Sequence, residues 1–405
     1  MANTLKFGNG NWATKEDSLL AYNSENGNFK PLPFDFTRAS SATVVNKAGL
    51  IETVGSGKAR IDFSNDAKGA LLLEPTRSND LQKSQEFNDS YWTKYQSSVL
   101  DNLSISPDGS LNADKLIEDN SAATHQLGRA ISYVSGTTYT VSIFAKSSNR
   151  NLEISAGNTS TFPAKAIFDL SNGIVLSTTL GNASIENFGN GWYRCVISST
   201  AASTSTTNIN FGIVNGSALS YNGDGSSFLE LFGVSREIGS YATSYIPTSG
   251  SAVTRVADAC SQTPTTGIIG QTEGTVFINF DYLNSTGERR FIFQLGTGGD
   301  TIYARIESGQ TLTSQVLNSG SGLTTTGTAL PIGINKLAIA YASNDAVIYL
   351  NGVQIAITTS ITIPSLSDVY IGANSAGVQQ ISGINKEFKI YNTRLSNTEL
   401  QTLTT

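Results

Sequence analysis

The chain predicts an all-β protein built from two consecutive antiparallel β-sandwiches of the jelly-roll type, preceded by an extended N-terminal arm and a strand-rich connector. Three observations predict it. Glycine is abundant (38 of 405 residues) beside many Ser, Thr and Asn, while charged residues make up only 14% and methionine occurs once, a composition that favours short strands and turns over helices. Tyr139, Val141, Ile143 and Ala145 alternate with polar neighbours at period two, as a half-buried strand requires. Runs of this kind recur along the chain, each bounded by Gly, Asn or Ser, which is the spacing of a sandwich rather than of βαβ units.

In chain order, residues 1–35 form the arm. Gly8 and Gly10 interrupt regular structure, and Phe7 and Trp12 are large apolar side chains that so short a segment cannot bury against itself. They are expected either to anchor the chain in a partner or to pack on its own first domain, with the anchor preferred. Asn23 to Asn28 reads as a turn, and Pro31 to Pro33 as an extended connector. Short strands follow at 34–38, 42–45, 50–54, 60–63 and 69–77, filling the connector of residues 36–80 and too short for a core of their own; they are expected to complete a sandwich or to intertwine with neighbouring chains.

Residues 81–260 are expected to form the first sandwich, with strands near 111–117, 138–146, 164–170 and 191–197. Pro247 biases Tyr245 and Ile246 to the extended region, and Thr248 to Ser251 supply turn residues, so the chain leaves this domain extended and turns towards the next. Residues 261–405 form the second sandwich, with strands near 274–280, 291–295, 334–341, 346–354 and 369–372. Asn351 and Gly352 are its strongest hairpin signal. Ser396 with Glu399 three residues on fits a helix capping box.

Several of these segments carry a resemblance. The run Ala242-Thr243-Ser244-Tyr245-Ile246-Pro247-Thr248-Ser249-Gly250-Ser251-Ala252-Val253-Thr254-Arg255, with Ala257 and Asp258, resembles the close of a carbohydrate-binding-module-like sandwich found in bacteriophage fibre and other virion proteins, among them those of crAss-like and related phages. Residues 37–43 with 49–52, and the run Leu72-Leu73-Glu74-Pro75-Thr76-Arg77-Ser78-Asn79, resemble the segment that precedes it there. Asn190-Gly191-Trp192-Tyr193-Arg194 and residues 228–237 follow in the same order. The close at 387–400 resembles the last strand and short helix of laminin-G-like, concanavalin A-like lectin domains.

The resemblance implies a virion component, a head fibre, decoration fibre or tail fibre. Its N-terminus would hold capsid or tail through Phe7 and Trp12, its sandwiches would meet host-surface glycans, and it would assemble as a homotrimer. The alternatives are a receptor-binding protein with polysaccharide depolymerase activity and a non-viral carbohydrate-binding protein. Net charge is −6 with no basic run, which argues against nucleic acid. No run of about 18 apolar residues occurs, so no helical membrane insertion is expected, and the first residues lack a signal peptide, which predicts synthesis in the host cytoplasm and residence in the virion.

His125 is the single histidine and lacks a nucleophile motif, so a structural role is expected. Glu273, Asp281 and Glu307 show no spacing that places two on one strand face, as a glycosidase pair requires, so no catalytic residues and no enzyme activity are expected. Tyr91, Trp92, Tyr95 and Tyr221 are candidate sugar platforms, since an aromatic ring stacks on the apolar face of a pyranose. Trp92 and at least one of Trp192 and Tyr193 are also expected in the core. Asn222 and Asp224 offer oxygens in a tight loop, making calcium a possible cofactor there, with a plain turn the simpler expectation. Cys195 and Cys260 are too few for a disulfide framework.

Overall fold

The computed structural model describes residues 5–15, 18–23, 28–64, 66–263, 268–282, 289–381 and 383–405; side chains of 14–33 are outside the description. It is nearly all strand, all strand pairs are antiparallel among those described, and Asn397–Thr404 is the one helix among the described residues. The chain divides into two compact units, one of residues 1–47, 53–76 and 256–405, the other of 48–52 and 77–255. The second unit is thus inserted in sequence within the first.

The inserted unit is a two-sheet sandwich. One sheet runs through Thr93–Tyr95, Ala122–Tyr133, Ser205–Val214, Asn151–Ala156, Lys165–Asp169 and Ile174–Leu180; the other through Ser97–Ile105, Leu111–Glu118, Phe228–Ile238, Thr138–Ser147, Tyr193–Thr200 and Asn182–Asn187. Val141, Ile143 and Ala145 join Leu127, Leu152, Ile154, Ile209, Phe211 and Ile213 in the core as the alternation predicts, but Thr140, Ser142 and Phe144 between them are buried too, so the strand is covered on both faces rather than half-buried. Cys195 is buried in that core as a free thiol. Trp192 and Tyr245 belong to a second cluster with Phe144, Phe232 and Ile51, so Tyr245 packs against this sandwich, and Ile246 beside it is buried as well.

The other unit is also a sandwich. Glu273–Tyr282 lies between Gly333–Ala342 and Gly383–Tyr391 in one sheet, with Asp345–Leu350 and Val353–Thr358 beyond. The facing strands run from Ser321–Ala329 through Thr311–Asn318, Asp300–Ile306, Arg290–Thr297 and Val369–Ile371 to Ala259–Gln262. The expected hairpin turn is present, with φ of 49° at Asn351 and 80° at Gly352. So is the capping box at Ser396 and Glu399.

The N-terminal segment departs from expectation. Residues 1–35 are no free arm: Leu5–Gly8 pairs along Gly383–Tyr391, with Leu5 opposite Ile390 and Phe7 opposite Phe388. Asn28–Thr37, expected to be a turn end and a connector, is one strand paired with Ser18–Asn23 and with Ala259–Gln262; residues 24–27 of the expected turn lie outside the described residues. Phe7 is fully buried among Phe34, Phe388 and Trp12. Trp12 is half-buried and donates from Nε1 to the carbonyls of Lys68 (2.9 Å) and Gly69 (3.2 Å). Both aromatics are therefore spent inside the C-terminal sandwich, which corrects their assignment as an anchor. The physical reason is plain: a sheet edge at Gly383–Tyr391 offers backbone partners and an apolar layer at once.

The 36–80 connector is likewise absorbed. Ala70–Leu73 pairs with the start of Gly383–Tyr391, beside Leu5–Gly8 on the same edge, and Arg77–Asn79 pairs with Val253–Arg255 in the inserted unit. Four charges from distant segments of the first unit meet one another. Arg38 donates to Asp258, and Arg60 donates to both Glu74 and Asp258; all four are buried.

Candidate functional site

The sugar-platform candidates separate into three roles. Trp92 is 2% exposed in the core, its ring against Phe87 and Phe211 and its Nε1 donating to the Lys83 carbonyl, so it is a core residue and not a platform. Tyr91 is half-buried with the Arg129 guanidinium 3.8 Å from its ring centre, which covers the face a sugar would use. Tyr221 donates to Glu118 and lies beside His125 and Arg150. Only Tyr95 stands on an outward sheet face with polar neighbours.

That face belongs to the sheet of Ala122–Tyr133, Ser205–Val214 and Asn151–Ala156. Because Leu127, Ile209, Phe211, Leu152 and Ile154 point into the core, Gln126, Gly128, Asn208, Asn210, Gly212, Glu153 and Ser155 point the other way. Register then sets them side by side. Tyr95 pairs with Gln126, Gln126 with Gly212 and Gly212 with Glu153; Gly128 pairs with Asn210, and Asn210 with Ser155. Gly128 leaves room between these side chains, whereas Gly212 is covered by the Leu219 side chain, whose Cδ1 lies 2.7 Å from where a Cβ would stand. A Cβ on Gly128 would come 2.6 Å from Asn210 Oδ1 and 3.1 Å from the Tyr95 ring, so the glycine is what lets amide and ring lie flat across the sheet.

The polar atoms here are arranged and only partly satisfied. Asn208 donates from Nδ2 to the Tyr95 hydroxyl at 3.1 Å. Lys165 approaches Glu153 to 3.2 Å. Asn210 Oδ1 is buried and has no hydrogen-bond partner among the described residues. A buried acceptor lacking a donor is costly, and a hydroxyl or amide N–H brought to it would remove that cost. Tyr95 was legible in the sequence as an exposed-type aromatic; Asn208, Asn210, Gly128 and Gly212 were missed, because only strand register brings them to it.

The calcium candidates resolve differently. Asp224 accepts from the backbone and hydroxyl of both Ser226 and Ser227, and from Arg150 at 3.0 Å. Those Ser227 and Ser226 bonds hold its carboxyl well below the usual range. Asp224 is thus used as a loop clamp, sharing the Arg150 guanidinium with Glu118, and Asn222 is held in a strand pair with Ala122. Glu118 ties the same clamp together: burial alone would raise its pKa, but Arg150, Tyr221 and the Asp224 amide bond its oxygens and bring it below the usual value. His125 is fully buried with Nδ1 on the Gln96 carbonyl at 2.7 Å, a structural position. Among the described residues no three His, Cys, Asp or Glu side chains gather as a metal site.

An acidic cavity of about 380 Å³ lies elsewhere on the inserted unit, lined by Gln85, Glu86, Asn88, Asp89, Asp101, Asn102 and Asp114. Asp114 is pushed up to about 6, first by burial and then by Asp101 and Glu86, against the pull of the Asn102 and Phe87 amides. The carboxylates checked as a glycosidase pair do not form one. Glu273 and Asp281 do share a strand face, contrary to expectation, but eight residues at about 3.3 Å each put them roughly 26 Å apart. Glu307 is engaged by Arg305 and Arg289.

Comparison with known proteins places residues 259–401 in a match to a family described as the concanavalin A-like lectin/glucanases superfamily. No curated protein matches the chain in sequence. Among solved structures, the chain is similar to the CBM40 of the Ruminococcus gnavus IT-sialidase, at 14% identity and a TM-score of 0.30 over 36% of this chain and 93% of that one. It is similar also to domain 4 of AbnA, a GH43 extracellular arabinanase from Geobacillus stearothermophilus, at 14% identity and a TM-score of 0.30 over 41% and 82%. A third is the SAP-like pentraxin of Limulus polyphemus, at 15% identity and 0.27 over 33% and 70%.

Proposed function

We propose that this chain is a non-enzymatic glycan-binding protein, presented on a virion as a fibre or decoration and assembled as a homotrimer. The observation that carries the glycan-binding part is the face around Tyr95, where a ring, two amides and a carboxylate stand together with Asn210 Oδ1 lacking a donor. A sugar meets each need: its hydroxyls donate to Asn210 and Glu153 and accept from Gln126, and its C–H face lies on the ring edge. The lectin-type family match of the C-terminal sandwich supports the same class of ligand. A shallow single face binds weakly, and three copies on one particle would raise the effective affinity through avidity. The virion setting rests on the order of the sequence segments described above.

The binding test is a glycan array probed with the full chain and with Asn210→Ala and Tyr95→Ala. Signals that fall in both variants support the proposal; signals unchanged in both, or none with the unaltered chain, overturn it. The setting is tested separately, by immunogold labelling of purified particles, and absence of label ends the virion part alone.

A further inference from the structure

The C-terminal sandwich carries a second polar cavity, of about 240 Å³, on the sheet face opposite its core. It is lined by Asn9, Asp66, Phe277, Asn279, Lys336, Lys386, Glu387, Lys389 and Leu403. Alternation explains the face: Val276, Ile278, Phe388 and Ile390 go into the core, leaving Phe277, Asn279, Glu387 and Lys389 outside. Asn279 is the hub, paired across one strand with Lys336 and across the other with Glu387. Between the pairs Asn279–Glu387 and Phe280–Asn385 the register slips by one residue, and Lys386 is the bulged residue this leaves over. The Asn9 amide closes the rim by donating to the Lys386 carbonyl at 2.8 Å.

The charges do not cancel. Lys386 pairs with Asp66 at 3.2 Å and Lys389 with Glu387 at 2.9 Å, in side chains that are 12–24% exposed. Lys336 has no carboxylate partner among the described residues, and Asn279 Oδ1 is buried with no donor. One site therefore holds an ammonium in want of an anion and an amide oxygen in want of a hydroxyl. Its volume lies below the range of about 300–1,000 Å³ usual for drug-sized ligands, which limits the occupant to one small unit. A dianion such as phosphate would face Asp66 and Glu387 at close range, whereas hydroxyls can donate to both.

We propose that this cavity binds a single carboxylated sugar unit, its carboxylate on Lys336 and its hydroxyls on Asn279 Oδ1 and Glu387. The segments that frame it include Asn9 and Asp66, so the site exists only while the N-terminal strands are seated on Gly383–Tyr391.

The test is calorimetric or NMR titration of the full chain with glucuronate, glucose and inorganic phosphate. Glucuronate is expected to bind saturably, and glucose, which lacks the charge-assisted hydrogen bond to Lys336, roughly tenfold or more weakly. Lys336→Gln should lose the difference between the two sugars and Lys336→Arg should keep it, with melting temperatures recorded for each. Asn210→Ala, on the other unit, should leave glucuronate binding unchanged, which separates this proposal from the one above. Equal binding of the two sugars, full glucuronate binding in Lys336→Gln, or phosphate binding without glucuronate overturns it.

Discussion

Arg38 and Asp258, 220 residues apart in sequence, form an ion pair at 3.0 Å in which neither side chain is exposed. Asp258 also receives Arg60, and Arg60 also reaches Glu74. The cluster holds two positive and two negative groups and knits the segment before the inserted unit to the segment after it. Breaking a buried pair by removing one charge strands the other, at a cost of about 3–5 kcal/mol. Asp258→Asn is expected to destabilise the C-terminal sandwich by that amount in urea unfolding followed by tryptophan fluorescence, and a loss under 1 kcal/mol would refute the cluster's role.

The seat of the N-terminal strand is equally specific. Gly8 has φ of 100°, and a Cβ there would stand 2.2 Å from the Lys386 carbonyl oxygen, a contact no side chain can make. Gly8→Val should therefore lift Leu5–Gly8 off its edge, uncover Phe7 and lower the melting temperature of this sandwich by several degrees. Hydrogen exchange at Phe388 and Ile390 reads the same event directly: protection retained in the variant would contradict the register.

Asp114 makes stability depend on pH in an unusual direction. Its folded pKa of about 6 lies above the ordinary 3.8, so the folded state binds the proton more tightly than the unfolded chain. Stability of the inserted unit should then rise as pH falls from about 7 towards 4, and be lost again as pH climbs through 6. Groups with lowered pKa, such as Glu118, act in the opposite sense only below the ordinary carboxylate range. Melting temperatures measured at pH 7.5 and 5 should differ in the unaltered chain, and the difference should shrink in Asp114→Asn.

Gly128→Ala tests the outward face without touching the core. The added methyl meets Asn210 Oδ1 and the Tyr95 ring, so both must move from their positions. Glycan-array signal should fall while urea stability of the unit changes little, and an unchanged signal would place binding elsewhere.

Much of the fold was legible because it is local. Period-two alternation found the strands around 138–146, 274–280 and 334–341, Asn351 and Gly352 marked the hairpin between Asp345–Leu350 and Val353–Thr358, and Ser396 with Glu399 marked the helix start. What the sequence concealed is non-local. Nothing in residues 5–8 says that their partner edge is 383–391, and so Phe7 and Trp12 read as unburied. The runs quoted for their family likeness point the same way: Arg38, Glu74 and Asp258 come from those runs, and they meet each other rather than a ligand. On the outward face the sequence marked Tyr95 by residue type, but Asn208 and Asn210 are ordinary strand amides until register sets them beside it. The Tyr245–Ile246 run proves to be core and clasp: Tyr245 packs on Phe144 and Phe232, and the Ile246 carbonyl accepts from Asn79.

The pairing of Leu5–Gly8 with Gly383–Tyr391 also sets an order of events at the ribosome. Residues 77–255 hold nearly all of their own unit and can fold before the strands flanking them in sequence are paired, whereas Leu5–Gly8 must wait, apolar side chains and all, until Gly383–Tyr391 has been made. During that interval Phe7 and Phe34 have no partner layer, so the nascent chain carries its greatest risk of self-association before the C-terminal sandwich closes.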